Sequence, residues 1–467
     1  MSNVSVLDEI TARKKLDVSG RMEKMPLESI RRSASPTVRS LASELSRPGV
    51  RFILECKKAS PSEGIIRKDF DIDEIANAYK NHADAVSVLT DEPYFQGRLD
   101  YLKRARELLD CPILAKDFVI SPYQVAEARV YGADAVLLML SVLDDHMYRR
   151  CADEASRLSM DVLTEVHDDA ELARAISLDA RLIGINNRNL RTLEVDINVV
   201  ERLAPRIPDD RVVVCESGVK SHADVTRIRT NCPRVGAFLV GGALMKDERV
   251  DLAARRLIYG RVKICGLTSP EDVRRAYEAG ASYGGMVFAP GSPRRVGIPE
   301  ASEISASAPL PMVGVFVNEP LDAVSAVSCS LGFAAVQLHG DEDLEYVSRL
   351  RERLPGGTEI WKAVRVGERL PELDKTGADR VLLDTLDKNL RGGTGKKFDW
   401  SLLDNIHDKS RVILAGGVTP DNAAGAMKYG TYAIDVSSGV ELPGPLSGPG
   451  RKDHKMIQRL FAALRGA

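Results

Sequence analysis

From Arg51 onward the chain alternates two kinds of segment. Short runs of apolar and β-branched residues (RFILECKK, AVSVLT, PILAKDF, AVLLML, DVLTEVH, LIGINNR, VVVCESG and AFLVGG) are separated by stretches whose apolar positions recur at helical spacing, as in YQVAEARVYG over 123–132. Runs that are apolar on both faces and separated by helices predict a parallel sheet covered by helices. A second series begins at Arg261: RVKICGL, GGMVFA, MVGVFV, AAVQLHG, IWKAVRV, RVLLDT, RVILAGG and AIDVSSG. Eight strands per half is the number that closes a (β/α)8 barrel of ordinary size, so the predicted fold class is α/β with two tandem (β/α)8 barrels.

The punctuation agrees. Ser121-Pro122 and Ser269-Pro270 read as N-caps followed by proline at the first helical position, and Gln124 stands where a capping box needs it. Gly132-Ala133-Asp134, Gly280-Ala281-Ser282 and Gly377-Ala378-Asp379 place glycine just past a helix and just before a strand. The rival fold, a pair of doubly wound open sheets, expects G-x-G-x-x-G after a first strand, and neither half has it. The charged, helix-like KDERVDLAARRLIYG runs into the second series, which sets the expected domains at 1–255 and 256–467. Helix-like segments before Arg51 form an N-terminal extension that either covers the bottom of the first barrel or frames its mouth.

Composition narrows the function. With 467 residues, 44% of them hydrophobic, the chain is long enough for two cores. Its net charge of -2 supplies no field for nucleic acid or an anionic membrane. No apolar run reaches the length of a membrane span, and Asp8 and Glu9 interrupt any signal-peptide core. Seven scattered cysteines without a C-x-x-C pair fit reduced thiols in a cytoplasmic protein, and no histidine cluster suggests a metal.

In the first half the polar residues gather where strands end. Glu55 and Lys57 lie two apart, on one side of a strand; Lys116 ends the third run, Glu165 the fifth, Asn186 and Arg188 the sixth, Glu216-Ser217-Gly218 the seventh and Gly241-Gly242 the eighth. One such lysine is usually a solvated or ion-paired residue. Five strands ending this way on one barrel face instead mark catalysis. The segments ECKKASPSEG, AKDF, TEVH, GINNRNL and ESGV resemble indole-3-glycerol phosphate synthase over residues 1–250. The resemblance implies closure of an anthranilate-bearing deoxyribulose phosphate to indole glycerol phosphate, with loss of carbon dioxide and water. It makes Lys116 the general acid, Glu165 its acid/base partner and Lys57 a carboxylate-binding group and proton donor. Glu55, Ser60, Asn186, Arg188 and Ser217 would hold the substrate, and the amides of Gly218, Gly241 and Gly242 its phosphate. The family commonly has Gly-Ser where this chain has Gly241-Gly242, so one phosphate-directed hydroxyl is missing and weaker phosphate binding is expected.

In the second half Cys265 ends the first run. A lone strand cysteine is usually apolar filler, but this one is joined by Arg294, Asp384 and two phosphate-type loops, Gly416-Gly417 and Ser437-Ser438-Gly439. KICGLT, SPRRV, VQLHG, LLDT, GGTGKKFDW, LAGGVTPDN and DVSSGVE resemble phosphoribosylanthranilate isomerase across 260–467. The implied reaction is an Amadori rearrangement of an aminoaldose to an aminoketose. Cys265 as thiolate would be the base, through a depressed pKa or a substrate-assisted transfer. Asp384 would be the acid, for which it needs an apolar or crowded site. Arg294 would bind the anthranilate carboxylate, Asp435 the sugar hydroxyls, and Gly416, Gly417, Ser437, Ser438 and Gly439 the phosphate. Gly392-Gly393-Thr394-Gly395 looks like a lid over that phosphate, and His339 reads as a positioning or core residue.

The expected ligands are therefore small phosphorylated anthranilate–sugar compounds, with no metal or organic cofactor; a monomer is the default state. A histidine-pathway aminoaldose isomerase is the nearest rival for the second half, although a pair of aspartates rather than Cys265 and Asp384 would suit it. A non-catalytic binding barrel is the rival from another class, and an acid/base pair in each half argues against it.

Overall fold

The computed structural model describes residues 5–385, 397–442 and 450–466, and the lid segment at 392–395 lies outside them. The chain forms two compact units, Met1–Leu257 and Ile258–Arg465. In the first, β1 (Arg51–Cys56), β2 (Ala85–Leu89), β3 (Ile113–Lys116), β4 (Ala135–Met139), β5 (Asp161–Val166), β6 (Leu182–Asn186), β7 (Val212–Glu216) and β8 (Ala237–Val240) form one closed, wholly parallel barrel. In the second, β9 (Val262–Cys265), β10 (Tyr283–Val287), β11 (Met312–Phe316), β12 (Ala335–Leu338), β13 (Glu359–Val366), β14 (Arg380–Thr385), β15 (Val412–Leu414) and β16 (Ala433–Val436) form another. Both are (β/α)8 barrels, and every strand coincides with one of the apolar runs.

Strand periodicity explains where the polar side chains go. Successive residues point to opposite faces, so the position two beyond an inward apolar residue is also inward, one layer nearer the mouth. The interior of the first barrel holds Ile53, Leu114, Leu163, Leu182, Val214 and Leu239. Counting on by two from these residues reaches Glu55, Lys116, Glu165, Gly184, Glu216 and Gly241. In the second barrel Ala335, Leu382 and Ala433 sit in the apolar layer, and Gln337, Asp384 and Asp435 stand two residues further on.

The N-terminal extension does both things the sequence left open. Helix α1 (Val6–Lys24), capped by Ser5 with a capping box from Asp8, brings Val6, Leu7 and Ile10 to the mouth cavity of the first barrel. Its Lys14 is buried and bridges Asp91 at 2.6 Å and Asp117 at 2.7 Å, carboxylates that follow β2 and β3. The short helix Leu41–Leu45 instead caps the barrel's bottom, where Ser40 Oγ and the Ala42 amide donate to Asp161 at the start of β5.

One expected helix start differs in detail. Pro122 is at the first helical position after Ser121, but no capping box forms: Gln124 Oε1 accepts from the Ile120 amide and its Nε2 donates to the Phe118 carbonyl. The glutamine braces the loop after Lys116 rather than the helix end. At Ser269-Pro270 the serine does cap, accepting from the Asp272 amide.

Candidate active sites

The mouth of the first barrel encloses a cavity of about 910 Å³. Glu55, Lys57, Ser60, Lys116, Glu165, Asn186, Arg188, Ser217, Gly218, Gly241 and Gly242 all line it, so the structure brings together every site residue inferred for this half. Phe95, Phe118, Leu190 and Val195 supply apolar wall. Lys116 Nζ is ion-paired with Glu216 and lies 3.6 Å from Glu165 Oε2, while Lys57 Nζ lies 3.0 Å from Glu55 Oε2. Asn186 Oδ1 accepts from the Arg188 amide at 2.9 Å, and the Arg188 guanidinium donates to Ser62 and to the Leu193 carbonyl.

Electrostatics at Lys116 is a contest. Burial works against its charge, but Glu216, Glu165 and Glu55 outweigh burial and hold the lysine above its ordinary range. Burial pushes Glu216 up to about 7 in spite of Lys116, and Glu165 and Glu55 add to the shift. Glu216 had no role assigned from the sequence. Its inward position two residues beyond Val214 was the available signal. The glycines make room for these carboxylates: a Cβ at Gly184 would run into Glu216, and one at Gly241 into Glu55.

After β7 the backbone turns through two successive left-handed residues, Ser217 at φ 62° and Gly218 at φ 87°. The second barrel repeats this after β15, with Gly416 at 76° and Gly417 at 74°. Positive φ at two successive positions folds the backbone sharply at the barrel mouth, a conformation that glycine adopts without strain. A Cβ at Gly439, after β16, would strike the Val418 carbonyl, so the two glycine loops of the second barrel are in contact.

Cys265 and Asp384 are both buried inward residues of the second barrel. Burial pushes the Cys265 thiol up, against the pull of Lys263, which hydrogen-bonds it. Lys263 is fully buried and donates to Asp435 Oδ2 at 3.0 Å and to Gln337 Oε1 at 2.9 Å. Asp435 Oδ1 is buried and has no hydrogen-bond partner among the described residues. Asp384 Oδ1 accepts from the Thr385 amide at 2.8 Å, and Oδ2 lies 3.3 Å from His339 Nε2. Ser437 Oγ donates to the Cys265 carbonyl at 3.2 Å.

Arg294 reaches the same mouth, with its stem over Gly266, where a Cβ would lie 2.6 Å from Arg294 Cδ. Its Nε and Nη2 donate to Glu441 Oε1 and Oε2 at 2.7 and 2.8 Å, and Lys452 Nζ donates to the same Oε1 at 2.7 Å. Lys263, Glu441 and Lys452 were not singled out by the sequence. Lys263 alone carried a local signal, since it shares a strand face with Cys265. Among the described residues no group of histidine, cysteine and carboxylate side chains has a metal-binding arrangement, and no helix is long and apolar enough to cross a membrane.

Comparison with known proteins matches residues 7–257 to the family model for indole-3-glycerol phosphate synthase, and residues 262–463 to that for N-(5'phosphoribosyl)anthranilate (PRA) isomerase. The tryptophan biosynthesis protein TrpCF of Vibrio parahaemolyticus is 46% identical over 98% of this chain and 94% of its own length. The TrpCF protein of Salmonella typhi is 44% identical over 99% of both chains. The crystal structure of phosphoribosyl anthranilate isomerase from Thermus thermophilus is 34% identical, covers 44% of this chain and 98% of its own, and superposes with a TM-score of 0.39. The chain belongs to the bifunctional family of tryptophan-biosynthesis enzymes, in which an indole-3-glycerol phosphate synthase domain precedes a phosphoribosylanthranilate isomerase domain.

Proposed function

We propose that Cys265 and Asp384 in the second barrel, and Lys116 and Glu165 in the first, carry the proton transfers of the two consecutive reactions. The observation that supports this most directly is that each pair stands on inward strand positions of a single barrel mouth. In the isomerase, Asp384 gives a proton to the ribose ring oxygen as the C1–O bond breaks, and the nitrogen lone pair forms the iminium. Cys265 then removes the proton from C2, and the enolamine collapses to the aminoketose. Because burial pushes the thiol up, a thiolate formed by proton transfer to bound substrate fits better than a resting thiolate. Arg294 Nη1, or the whole guanidinium after Glu441 is displaced, meets the anthranilate carboxylate. Asp435 Oδ1 accepts from a sugar hydroxyl.

In the first barrel the aromatic carbon attacks the ketone while Lys116, kept charged by its carboxylate neighbours, protonates the ketone oxygen. Carbon dioxide leaves to restore the ring, and Glu165 assists departure of the hydroxyl as water. Lys57 and Arg188 face the anionic parts of the substrate, with Glu55, Ser60, Asn186 and Ser217 placed for its polar groups. The left-handed pairs Ser217-Gly218 and Gly416-Gly417 would cradle the phosphate, with Gly241 and Gly242 in the first barrel and Ser437, Ser438 and Gly439 in the second. All these groups come from one chain, which is compatible with a monomer, and its free cysteines suit the reducing cytoplasm.

The test uses the intact chain and follows anthranilate fluorescence and indole glycerol phosphate together. Cys265→Ala or Asp384→Asn should abolish isomerisation and leave ring closure of added aminoketose phosphate intact, and Lys116→Ala should do the reverse. Chelators should change neither rate. A folded variant that loses both activities would refute the assignment of independent sites.

A further inference from the structure

The polar layer of the second barrel contains a hydrogen-bonded chain that starts at a buried ammonium and ends at Asp384. Lys263 Nζ donates to Gln337 Oε1 at 2.9 Å; Gln337 Nε2 faces His339 Nδ1 at 3.1 Å; His339 Nε2 faces Asp384 Oδ2 at 3.3 Å. The polarity of every link follows from the first. An ammonium only donates, so Gln337 must turn its oxygen to Lys263 and its amide N–H to the imidazole. A ring nitrogen that accepts an N–H carries no proton of its own. His339 is therefore neutral, with its single proton on Nε2 and aimed at Asp384.

This matters because a carboxyl group beside an imidazole tends to surrender its proton, since the imidazolium–carboxylate pair is stabilised by opposite charge. In that state Asp384 would have nothing to give. Protonation of His339 at Nδ1 would set donor against donor at Gln337 and add a cation near Lys263. Other charged groups line the neighbouring cavity. Lys362 and Arg365, the latter in register with Asp384, are further cations that oppose an imidazolium. Of the acids there, Glu342 is held by Lys362 at 2.8 Å, Glu372 is ion-paired with Lys375, and Asp341 and Asp343 lie on the loop that follows His339.

We propose that Lys263 and Gln337 are positioning residues that hold His339 as the neutral Nε2–H tautomer, so that the imidazole does not take up the carboxyl proton of Asp384, which stays available for opening the ribose ring. The proposal rests on Asp384 being the acid.

Gln337→Glu tests it in the full-length protein. The change conserves shape and places a carboxylate against Lys263, so a purely structural role for Gln337 tolerates it. It also offers His339 Nδ1 an acceptor, which favours the imidazolium and ionises Asp384. The expected result is a fall in isomerisation kcat of roughly 100-fold, the scale of a general acid, with KM almost unchanged and ring closure in the first barrel unaffected. Adding His339→Gln, which keeps an amide donor in the place of Nε2–H and cannot be protonated, should recover most of that loss. Multiple-bond 15N–1H spectra of the unsubstituted protein should show His339 protonated on Nε2 alone. Full activity of Gln337→Glu, or a proton on Nδ1 in those spectra, would overturn the proposal. Asp384→Asn run in parallel separates the two readings. If it retains isomerisation the acid assignment fails; if it is inactive while Gln337→Glu is fully active, only the tautomer argument fails.

Discussion

Replacing Gly242 by serine should improve the first barrel. Gly242 opens the short helix Gly242–Met245 at the cavity after β8, and a Cβ built on it meets nothing within 4 Å. A serine therefore fits without displacement, and its hydroxyl restores the donor common in the family. A hydrogen bond to a charged group is worth about 1.5–3 kcal/mol net, and a partly open mouth favours the lower end. About 1.4 kcal/mol is tenfold in affinity, so KM for the aminoketose phosphate should fall by roughly tenfold with kcat little changed. The exchange of glycine for serine in a helix adds about half a kcal/mol of stability on its own. Steady-state ring-closure kinetics, with inorganic phosphate as a competitive inhibitor, separate the two effects: phosphate should inhibit more tightly by a similar factor. The neighbouring Gly241→Ser is the contrast, since its Cβ would drive into the Glu55 carboxylate and should cost activity. A Gly242→Ser protein that is more stable but unchanged in both KM and phosphate inhibition would refute the placement of the phosphate.

Three further outcomes are expected. Glu216→Gln removes the largest of the carboxylate interactions that hold Lys116 above its ordinary range and leaves burial pulling it down, so the alkaline limb of the ring-closure kcat profile should move to lower pH; an unmoved limb would disconnect Lys116 from that limb. Lys14→Ala leaves Asp91 and Asp117 buried without their cation, a change that costs the docking of α1 about 3–5 kcal/mol; hydrogen exchange should show the amides of α1 losing protection while those of the second barrel stay put. Gly285→Ala would bring a Cβ to 2.9 Å from both Cys265 Sγ and Lys263 Cε, and should lower isomerisation kcat while sparing ring closure.

The barrels were legible because each strand is a compact β-branched run bounded by glycine or a cap, and period two then assigns inward positions from local sequence alone. That arithmetic put Glu55 and Lys57 on one side of a strand, strand-end position marked Lys116 and Glu165, and the resemblance of the LLDT segment marked Asp384. It could not say what each meets across the barrel, because partners such as Lys116 and Glu216 or Arg294 and Glu441 lie on different strands and loops far apart in the chain. Gln124 illustrates a local signal that misled: the residue type matched a capping box, but the Phe118 carbonyl and Ile120 amide offered it better partners. Lys263 was passed over because a lysine inside an apolar run looks like the run's edge, and only the closed barrel shows it buried over Asp435 and Gln337.

The docking of α1 has a consequence for the order in which the first site comes into being. Lys14 leaves the ribosome before β1 exists, yet both carboxylates that bury it belong to loops made much later, after β2 and β3. Contacts of such long sequence separation form late, since loop closure must precede them. Val6, Leu7 and Ile10 therefore settle at the mouth only after β2, β3 and the loops that follow them have formed. As a helix near the chain's start with only Leu7, Ile10, Lys14 and Val18 buried, α1 is a separable unit of local unfolding, whose amides should exchange with solvent well before those of the strands. Ring closure would then be lost at temperatures where the first barrel itself is still intact.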